Sequence, residues 1–458
     1  MSLKKDIASV FSSNVINLLI GIITGFLIPA FLSLDQYAYL KTFTLYIGFV
    51  GILHFGFIDG LYIKYGGRKE KELDKGILKG EHNFLLSFQL IVTLFFIFMG
   101  IFSKDKIILA FSLAILPTNM QTLFKFLFQA LGQFGAYSKI MLITPNLLLI
   151  MNLFIIYILK LDNFWPFVIG ALLINYIVFI GLEISFLRKE KGNKASVNLE
   201  KIKNNFKVGI FIMSGNLSTM LFYSIDRWFV KYLFSVTEFA FYSFAISMIS
   251  VINILISSVT MTFYPYLIRN KDEGLYRKIK IYFLILGTIA SGGYFAFSFI
   301  VTFFLQKYIP SLNVISILFA GFPAIIVINA LYVNLYKAQK QERRYFFTVF
   351  KMLLVSVIIN IMAVLIFKTS QSIAIATTLA FYVWYIYSAK DFKYLAINSK
   401  EIIYLCLYIS LFFLTTIRFN WWQGAIIYFA TIALINYAFY SKEIRELITR
   451  KHIEGEKL

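Results

Sequence analysis

The sequence predicts an all-α polytopic membrane protein with about fourteen transmembrane helices. Of its 458 residues, 59% are hydrophobic, 19% are aromatic and only 15% are charged, and the mean hydropathy is +0.77. A soluble chain of this size needs a more polar surface, so this composition indicates an integral membrane protein. The apolar runs show no alternation of period two, which indicates helices rather than the strands of a barrel.

Fourteen apolar runs are long enough to span a bilayer. They cover residues 7–32, 42–63, 83–103, 107–128, 138–159, 166–187, 208–233, 239–267, 281–306, 311–336, 345–367, 372–389, 401–417 and 424–441. The first run is too long for the apolar region of a signal peptide and no small-residue cleavage site follows it. We therefore expect it to be a retained span.

The positive charges predict the orientation of these spans. With the N-terminus inside, the inner segments hold 33 of the 44 Lys and Arg residues, the short outer turns hold 7 and the spans hold 4. We expect both termini in the cytoplasm, and the Lys, Ile, Phe and Asn bias suits a bacterial cytoplasmic membrane. The net charge of +21 lies in separate loops and not on one continuous face, which argues against nucleic acid as a partner.

An internal repeat organises the chain. Sliding the first span onto the seventh without a gap pairs Ser12 with Ser214 and Asn14 with Asn216. Six spans separate the copies, so we expect two six-helix lobes, parallel repeats related by a pseudo-twofold axis along the membrane normal. The predicted domains are an N-terminal lobe at 1–187, a cytoplasmic linker at 188–207, a C-terminal lobe at 208–389, and an additional helix pair with a cytoplasmic tail at 390–458.

The sequence lacks the motifs of an enzyme. No phosphate-binding glycine loop occurs, and the three histidines are not spaced with Cys, Asp or Glu as metal ligands. The single Cys406 allows no internal disulfide. The outer turns carry only scattered carboxylates, so we expect no enzyme activity, no metal and no cofactor. A membrane glycan polymerase or ligase, and a scaffolding role, stay open as alternatives.

The second copy of the repeat carries charges that the first copy lacks. Asp226, Arg227 and Lys231 lie within the predicted span 208–233. Ionisable groups cost at least about 2.5 kcal/mol each near the bilayer centre, so they usually face protein, water or a ligand. The fork of Arg227 matches the oxygens of a phosphate, which predicts an anion site for a pyrophosphate or an acidic sugar. The alternative is an internal Asp226–Arg227 pair, with Lys231 as an interfacial anchor that reaches the membrane surface.

Two further cations, Lys125 and Lys351, lie within spans nearer the inner face. They are candidates to bind a phosphate head group that enters from the cytoplasm. The alternative is that both extend to the interface and anchor their helices. Glu183 is expected to be an interfacial acid beside Arg188.

Asp59 lies between Gly56 and Gly60 near the inner end of the second span. Glycines let another helix approach closely, so we expect a helix contact here. We expect Asp59 to cap the helix or to pair with Lys64 or Arg68. Coupling of transport to protons or sodium ions is the functional alternative for Asp59, and also for Asp226.

Three stretches resemble the O-antigen and capsule repeat-unit flippases of the multidrug/oligosaccharidyl-lipid/polysaccharide exporter superfamily. They are FLSLDQYAYLKTF, FGFIDGLYIKYG and SIDRWFVKYLFSVTEFAFYS, which begin at residues 31, 55 and 224. The resemblance covers essentially the whole chain, including the two blocks of six spans and the added pair. None of the three stretches is catalytic or specific for one substrate.

The resemblance implies two lobes around a central, partly cationic cavity and transport by alternating access. It implies that the substrate is an undecaprenyl-pyrophosphate-linked oligosaccharide, moved from the inner to the outer leaflet for surface polysaccharide biosynthesis. Arg227, helped by Lys125 or Lys351, would hold the pyrophosphate. The lipid bilayer and polysaccharide polymerase and assembly proteins are the expected partners. An ion-coupled multidrug exporter of the same superfamily is the second interpretation.

Overall fold

The computed structural model describes residues 3–260, 267 and 272–455, with side chains over 10–253, 256, 267 and 272–446. In this part of the chain, the regular secondary structure is helical, and turns and loops connect the helices. The α-helices are α1 Leu3–Phe31, α2 Leu34–Ile47, α3 Phe57–Tyr65, α4 Lys75–Ser103, α5 Lys106–Ala130, α6 Phe134–Phe154, α7 Trp165–Lys189, α8 Leu199–Phe222, α9 Ile225–Leu233, α10 Val236–Thr260, α11 Glu273–Ser291, α12 Gly293–Phe304, α13 Ser311–Phe319, α14 Phe322–Val327, α15 Val333–Ala338, α16 Glu342–Phe367, α17 Ser370–Asp391, α18 Ser399–Arg418 and α19 Trp421–Gly455. Short 3₁₀ segments cover Val50–His54, Glu70–Glu72, Gln306–Tyr308 and Lys393–Leu395, and π-helical turns cover Ile155–Leu159 and Ile328–Tyr332.

The described helices account for the predicted membrane spans. Eleven are long and apolar enough to cross a membrane, and the number reaches 14 when each of three bent helix pairs counts as one span. The prediction of an all-α polytopic membrane protein is therefore confirmed. The inner end of the predicted span 239–267, including Pro265, lies largely outside the described residues.

The three bent pairs correct the prediction of continuous helices in three spans. The pairs are Leu34–His54 with Phe57–Tyr65, Leu199–Phe222 with Ile225–Leu233, and Ser311–Phe319 with Phe322–Ala338, and they bend by 59°, 52° and 47°. Hydropathy indicates the length of an apolar run, but it does not indicate a local change of backbone direction inside that run. The runs at 42–63, 208–233 and 311–336 therefore each correspond to a bent pair of helices instead of one straight helix.

The chain forms two compact units, Met1–Leu217 and Ser218–Leu458. In the first unit, helices α3 to α8 contribute to one cluster of buried apolar side chains. Its buried members are Phe57, Ile58, Leu61, Tyr65, Leu78, Leu85, Met120, Leu123, Phe124, Leu127, Ala130, Ile140, Phe179, Phe186 and Ile202. The predicted six-helix lobes and their symmetry axis stay predictions.

Glycines bring α3 and α8 into backbone contact within the first unit. A Cβ atom built on Gly209 of α8 would lie 2.6 Å from the Gly60 nitrogen and 2.7 Å from the Gly56 carbonyl carbon. A Cβ on Gly60 would lie 2.7 Å from the Cα of Asn205. The expectation that Gly56 and Gly60 admit another helix is confirmed, and that helix is α8.

The segment between α7 and α8 packs along the first turns of α4. The Ser196 amide donates to the Gly76 carbonyl at 2.9 Å, and Lys79 Nζ donates to the carbonyls of Glu190 and Asn193 at 3.3 and 2.8 Å. These bonds satisfy backbone groups that a loop would otherwise expose to water. This part of the predicted linker 188–207 is therefore held on the first unit along its length.

In the second unit, buried tyrosines fix the last two helices, α18 and α19, on α11. Tyr404 donates to Asn436 Oδ1 at 2.7 Å, and Tyr428 donates to the Thr288 carbonyl at 2.5 Å. The hydroxyls of Tyr408 and Ser291 lie 2.6 Å apart. A buried phenol needs a hydrogen-bond partner, so these bonds specify which faces of the helices meet.

Candidate functional site

The candidate anion site lies where the seventh predicted span is broken, between α8 and α9. The Ser224 hydroxyl bonds back to the Met220 carbonyl at 2.7 Å, a contact that competes with helix continuation and bends helices. The Arg227 amide then donates to the Ser224 carbonyl at 3.1 Å as the new helix starts. Asp226 and Arg227 therefore occupy the first turn of a nine-residue helix, not the middle of a long one.

The Asp226 carboxylate is buried, with only 2% of the residue exposed. Its Oδ2 accepts a hydrogen bond from the Tyr242 hydroxyl of α10 at 2.8 Å, and its Oδ1 accepts from the Arg227 backbone amide at 2.7 Å. A carboxylate in the first turn of a helix also interacts favourably with the free amides and the positive end of the helix dipole. Asp226 therefore stabilises the start of α9.

The Arg227 guanidinium has unused hydrogen-bonding capacity. Its Nη2 lies 3.4 Å from the Tyr223 carbonyl, and its buried Nε has no hydrogen-bond partner among the described residues. Within the described part of the chain, the Asp226 and Arg227 side chains form no salt bridge, and the Asp226 oxygens accept from the Arg227 backbone amide and the Tyr242 hydroxyl. A buried, unsatisfied cationic donor is costly, and an anionic ligand would satisfy it.

Aromatic and amide side chains surround this turn. Tyr223 donates to Asn329 Oδ1 at 2.9 Å, and Asn329 lies in the π-helical turn Ile328–Tyr332. The neighbouring Phe222 ring packs 4.7 Å from Trp384 of α17. The Tyr223–Asn329 bond therefore joins the turn before α9 to a second irregular segment of the same unit. Such π-helical turns are frequent at functional sites.

The other predicted cations are placed separately. Lys231 Nζ lies 4.0 Å from the centre of the Tyr232 ring, a cation–π contact. Lys351 of α16 is exposed and donates to the Tyr387 hydroxyl at 3.2 Å, and α16 itself contacts α9. Lys125 is half-buried on α5 of the first unit. Their roles in substrate binding stay predictions.

Two acids have partners that the sequence did not indicate. Asp59 Oδ2 lies 3.8 Å from His54 Nε2, and Lys64 contacts Glu81 instead. Glu183 lies 3.0 Å from His82 Nε2. The pairing expected for Asp59, with Lys64 or Arg68, was wrong because sequence proximity does not show which way a side chain points.

Sequence reasoning missed a buried polar cluster around Glu81. This carboxylate accepts hydrogen bonds from Lys64 Nζ, the Tyr65 hydroxyl and Asn205 Nδ2. The prediction placed Glu81 in the loop 64–82, whereas α4 begins at Lys75. The available signal was Asp74, a helix N-cap, whose Oδ1 accepts from the Ile77 amide at 3.0 Å.

A second missed cluster lies in the other unit. The buried Lys280 of α11 is 2.8 Å from Glu401 Oε1 and donates to the Leu395 carbonyl at 2.9 Å. Glu401 also accepts from the Tyr385 hydroxyl. Each unit therefore contains a buried Lys–Glu–Tyr cluster. Among the described residues, no three His, Cys, Asp or Glu side chains lie together as metal ligands.

The two embedded acids share a local pattern. Residues 58–65 read IDGLYIKY and residues 225–232 read IDRWFVKY, and each stretch forms most of a nine-residue helix that follows a break. In both, the Lys ammonium lies over the ring of the next Tyr, at 5.1 Å for Lys64 and 4.0 Å for Lys231. Of these two stretches, only residues 225–232 contain an arginine, Arg227.

Comparison with solved structures identifies the class of this fold. It is similar to that of the lipid II flippase MurJ in an inward closed conformation, with a TM-score of 0.66 and 15% identity over 96% of this chain and 99% of that one. It is also similar to the MATE multidrug transporter DinF-BH, with a TM-score of 0.54 and 14% identity over 87% of this chain and 98% of that one. A multidrug resistance MATE family transporter of the MOP superfamily gives a TM-score of 0.50, with 14% identity over 87% and 95% of the two chains. The chain therefore shares the fold of these three transport proteins.

The family follows from the sequence. A family model described as polysaccharide biosynthesis protein matches residues 3–271, which is more than half of the chain. The chain belongs to this polysaccharide biosynthesis family, which confirms the expected link to polysaccharide biosynthesis. No curated protein sequence matches the chain.

Proposed function

We propose that this protein is a flippase for a lipid-linked oligosaccharide repeat unit of a surface polysaccharide. It would move an undecaprenyl-pyrophosphate-linked glycan from the inner to the outer leaflet of a bacterial cytoplasmic membrane by alternating access. Membership of the polysaccharide biosynthesis family and the MOP fold support the class of substrate and the type of movement. The observation that carries the proposal is the Arg227 guanidinium, which is embedded, unpaired at Nε among the described residues and held on a broken span.

Arg227 is suited to the pyrophosphate because its planar fork matches phosphate oxygens. The break after Tyr223 ends the helical hydrogen-bond ladder and presents the first turn of α9, whose free amides and dipole favour an anion. Asp226 keeps this turn in place because its carboxylate accepts hydrogen bonds from the Arg227 backbone amide and the Tyr242 hydroxyl. We therefore assign pyrophosphate binding to Arg227 and positioning to Asp226.

The other cations would assist at separate stages. Lys351 is exposed and bonded only weakly, at 3.2 Å, to a tyrosine hydroxyl, so its ammonium can exchange that partner for a phosphate oxygen. Lys125 has a half-buried side chain on α5. We propose that these two lysines meet the head group before or after Arg227 does.

The test is transbilayer movement of a fluorescent undecaprenyl-pyrophosphate oligosaccharide in proteoliposomes. Hydrogen bonds to a charged group contribute about 1.5–3 kcal/mol, so Arg227→Ala should slow movement by roughly 10- to 100-fold. Arg227→Lys should be intermediate because it keeps the charge and loses the fork. Arg418→Ala is the control, because Arg418 is an exposed arginine in the last turn of α18, and it should retain most of the rate.

Three results would contradict the proposal. Full movement by the Arg227→Ala variant would remove the assigned role from this residue. Absence of movement by the wild type, together with efflux of a soluble organic cation, would instead support a multidrug exporter. Glycosidic bond formation by the purified protein would indicate a polymerase or ligase.

A further inference from the structure

The second predicted span contains a break that side chains from other helices stabilise. Phe55 and Gly56 have φ angles of +50° and +82°, and the helical segments on either side are bent by 59°. A break within a membrane leaves backbone carbonyls without helical partners, and these must be satisfied by other groups. Gln89 Nε2 donates to the Leu53 carbonyl at 3.2 Å, and Asn119 Nδ2 donates to the Val50 carbonyl at 3.3 Å.

The amides that hold the break are themselves joined. Asn119 Nδ2 also donates to Gln89 Oε1 at 2.7 Å, and both side chains are fully buried. On the other side, Gly56 meets the backbone of α8 at Gly209. The irregular segment is therefore supported from α4, α5 and α8, and it is a built feature of the first unit.

A buried His–Asp pair lies across this break. His54 and Asp59 are 4% and 6% exposed, and His54 Nε2 lies 3.8 Å from Asp59 Oδ2. The Gly56 amide donates to His54 Nδ1 at 3.1 Å, so Nδ1 must be an acceptor. In the neutral ring the hydrogen then sits on Nε2, directed to the side on which Asp59 lies.

This hydrogen-bond arrangement decides which of the two groups takes up a proton. Protonation of His54 at Nδ1 would set that N–H against the Gly56 N–H and break the bond between them. Protonation of Asp59 breaks no bond within the pair. Asp59 lies in the first turn of α3, where its negative charge favours the helix start, so loss of that charge weakens the start of the helix at the break.

The other titratable groups on the elements packed against this segment are engaged separately. Glu81 of α4 accepts from Lys64 and Tyr65 of α3, and His82 of α4 contacts Glu183. Lys125 is half-buried on α5, and Lys203 and Lys207 of α8 are exposed. Within the described part of the chain, the titratable group facing Asp59 is the His54 ring, whose Nε2 lies 3.8 Å from Oδ2.

We propose that the Asp59 carboxylate, opposite a neutral His54 at the break before α3, is a proton-binding site that couples a proton gradient to transport. Uptake converts the carboxylate to the carboxylic acid and leaves His54 uncharged. The change is transmitted through Gly56 to α8, against which the break is packed without intervening side chains. The coupling part of this inference rests on the proposed flippase function, while the proton site itself does not.

The site is tested first without transport, by infrared difference spectroscopy of the purified protein in liposomes across pH steps. The wild type should show the carbonyl stretch of a protonated carboxylic acid as the pH is lowered, and Asp59→Asn should lose one such band. His54→Gln is the decisive partner variant, because its amide oxygen can accept from Gly56 and its NH₂ can face Asp59, yet it cannot titrate. His54→Gln should keep the band.

Glu183→Gln is the matched control, since Glu183 is also a carboxylate beside a buried histidine of the same unit. It should leave the Asp59 band unchanged. If Asp59→Asn fails to fold, Asp59→Glu should fold and should shift the band without abolishing it. Persistence of every carboxylic band in Asp59→Asn, or an unshifted spectrum in Asp59→Glu, would overturn the site, and so would loss of the band in His54→Gln.

The transport arm separates this inference from the proposed function. A pH gradient should stimulate movement of the fluorescent lipid-linked glycan by the wild type and by His54→Gln, and Asp59→Asn should move it at the rate seen without a gradient. No movement by the wild type under any gradient would refute the flippase function and leave the spectroscopic result standing. Gradient-stimulated movement that survives in Asp59→Asn would refute the coupling role alone.

Discussion

Replacement of Gly209 by Ala should destabilise the first unit more than a glycine replacement in a membrane helix ordinarily does. A new Cβ would lie 2.6 Å from the Gly60 nitrogen and 2.7 Å from the Gly56 carbonyl carbon, whereas ordinary contact begins at about 3.4 Å. All these neighbours are backbone atoms, so no side-chain rotation relieves the clash. The helices α3 and α8 must therefore move apart.

The magnitude follows from what this separation disrupts. Overpacking a well-packed contact costs about 1–3 kcal/mol. The same movement stretches the bond from Asn205 Nδ2 to Glu81, now 2.7 Å, and a hydrogen bond to a charged group contributes about 1.5–3 kcal/mol. We expect a total loss of roughly 2.5–6 kcal/mol in the free energy of unfolding, which at about 2–4 °C per kcal/mol corresponds to a fall of roughly 5–24 °C in the thermal midpoint of a unit of this size.

The assay is thermal unfolding of the detergent-solubilised protein, followed by size-exclusion chromatography after heating. Gly181→Ala is the matched control, because Gly181 also lies in a membrane helix, α7, and a Cβ there meets nothing within 4 Å. Its midpoint should stay equal or rise slightly, since Ala favours a helix over Gly by about 1 kcal/mol. Equal midpoints for Gly209→Ala and Gly181→Ala would refute the direct backbone contact between α3 and α8.

Two further predictions concern ion pairs, and thermal unfolding measures both. Glu401→Gln should destabilise the second unit by about 3–5 kcal/mol, because it leaves the buried Lys280 without its counter-ion. The control is Glu446→Gln, which removes a partner of the more exposed Lys278 and should cost no more than about 1 kcal/mol. Similar losses of stability in the two variants would contradict the argument that burial makes the first pair important. A hydrogen bond from Lys189 holds the pKa of the exposed Glu70 carboxyl below its usual range. The stabilisation by this pair is therefore present above the unfolded-state pKa of Glu70 and lost as the pH falls through its folded-state pKa. The small difference between wild type and Glu70→Gln, about 1 kcal/mol or less, should disappear in acid, and a constant difference would exclude an ionic origin.

Hydropathy was sufficient to predict the fold class and the number of spans, because the bilayer demands apolar runs of a set length. It could not predict the breaks. The break at Gly56 depends on Gln89 and Asn119, which lie on other helices and supply the hydrogen bonds that the irregular backbone needs. Because Gln89 and Asn119 are far from Gly56 along the chain, the sequence does not show that they support the break. Each amide can be recognised only as a polar residue within an apolar run.

The candidate site was predictable to the level of residue type and no further. An arginine in an apolar run indicates a functional group, and the sequence therefore pointed to Arg227. Its geometry depends on Tyr242, which binds the neighbouring Asp226, and on the turn at Ser224. The position of His54 beside Asp59 was unpredictable for the same reason, because the two residues lie on opposite sides of a break that hydropathy does not indicate.

The contrast between the two copies of the repeat gives a physical reason for the positions of the embedded acids. The first copy has Thr24 where the second has Asp226, and there α1 is unbroken, with the Thr24 hydroxyl bonded back to the Ile20 carbonyl at 2.8 Å. Asp226 and Asp59 both lie in the first turn of a short helix that follows a break. Such a turn provides free amides and the positive end of a helix dipole, which lower the cost of a carboxylate away from water. A continuous helix provides neither at its centre. In these two spans the buried Asp and the break therefore occur together, and an isolated Asp within an apolar run is a sequence signal for the break itself.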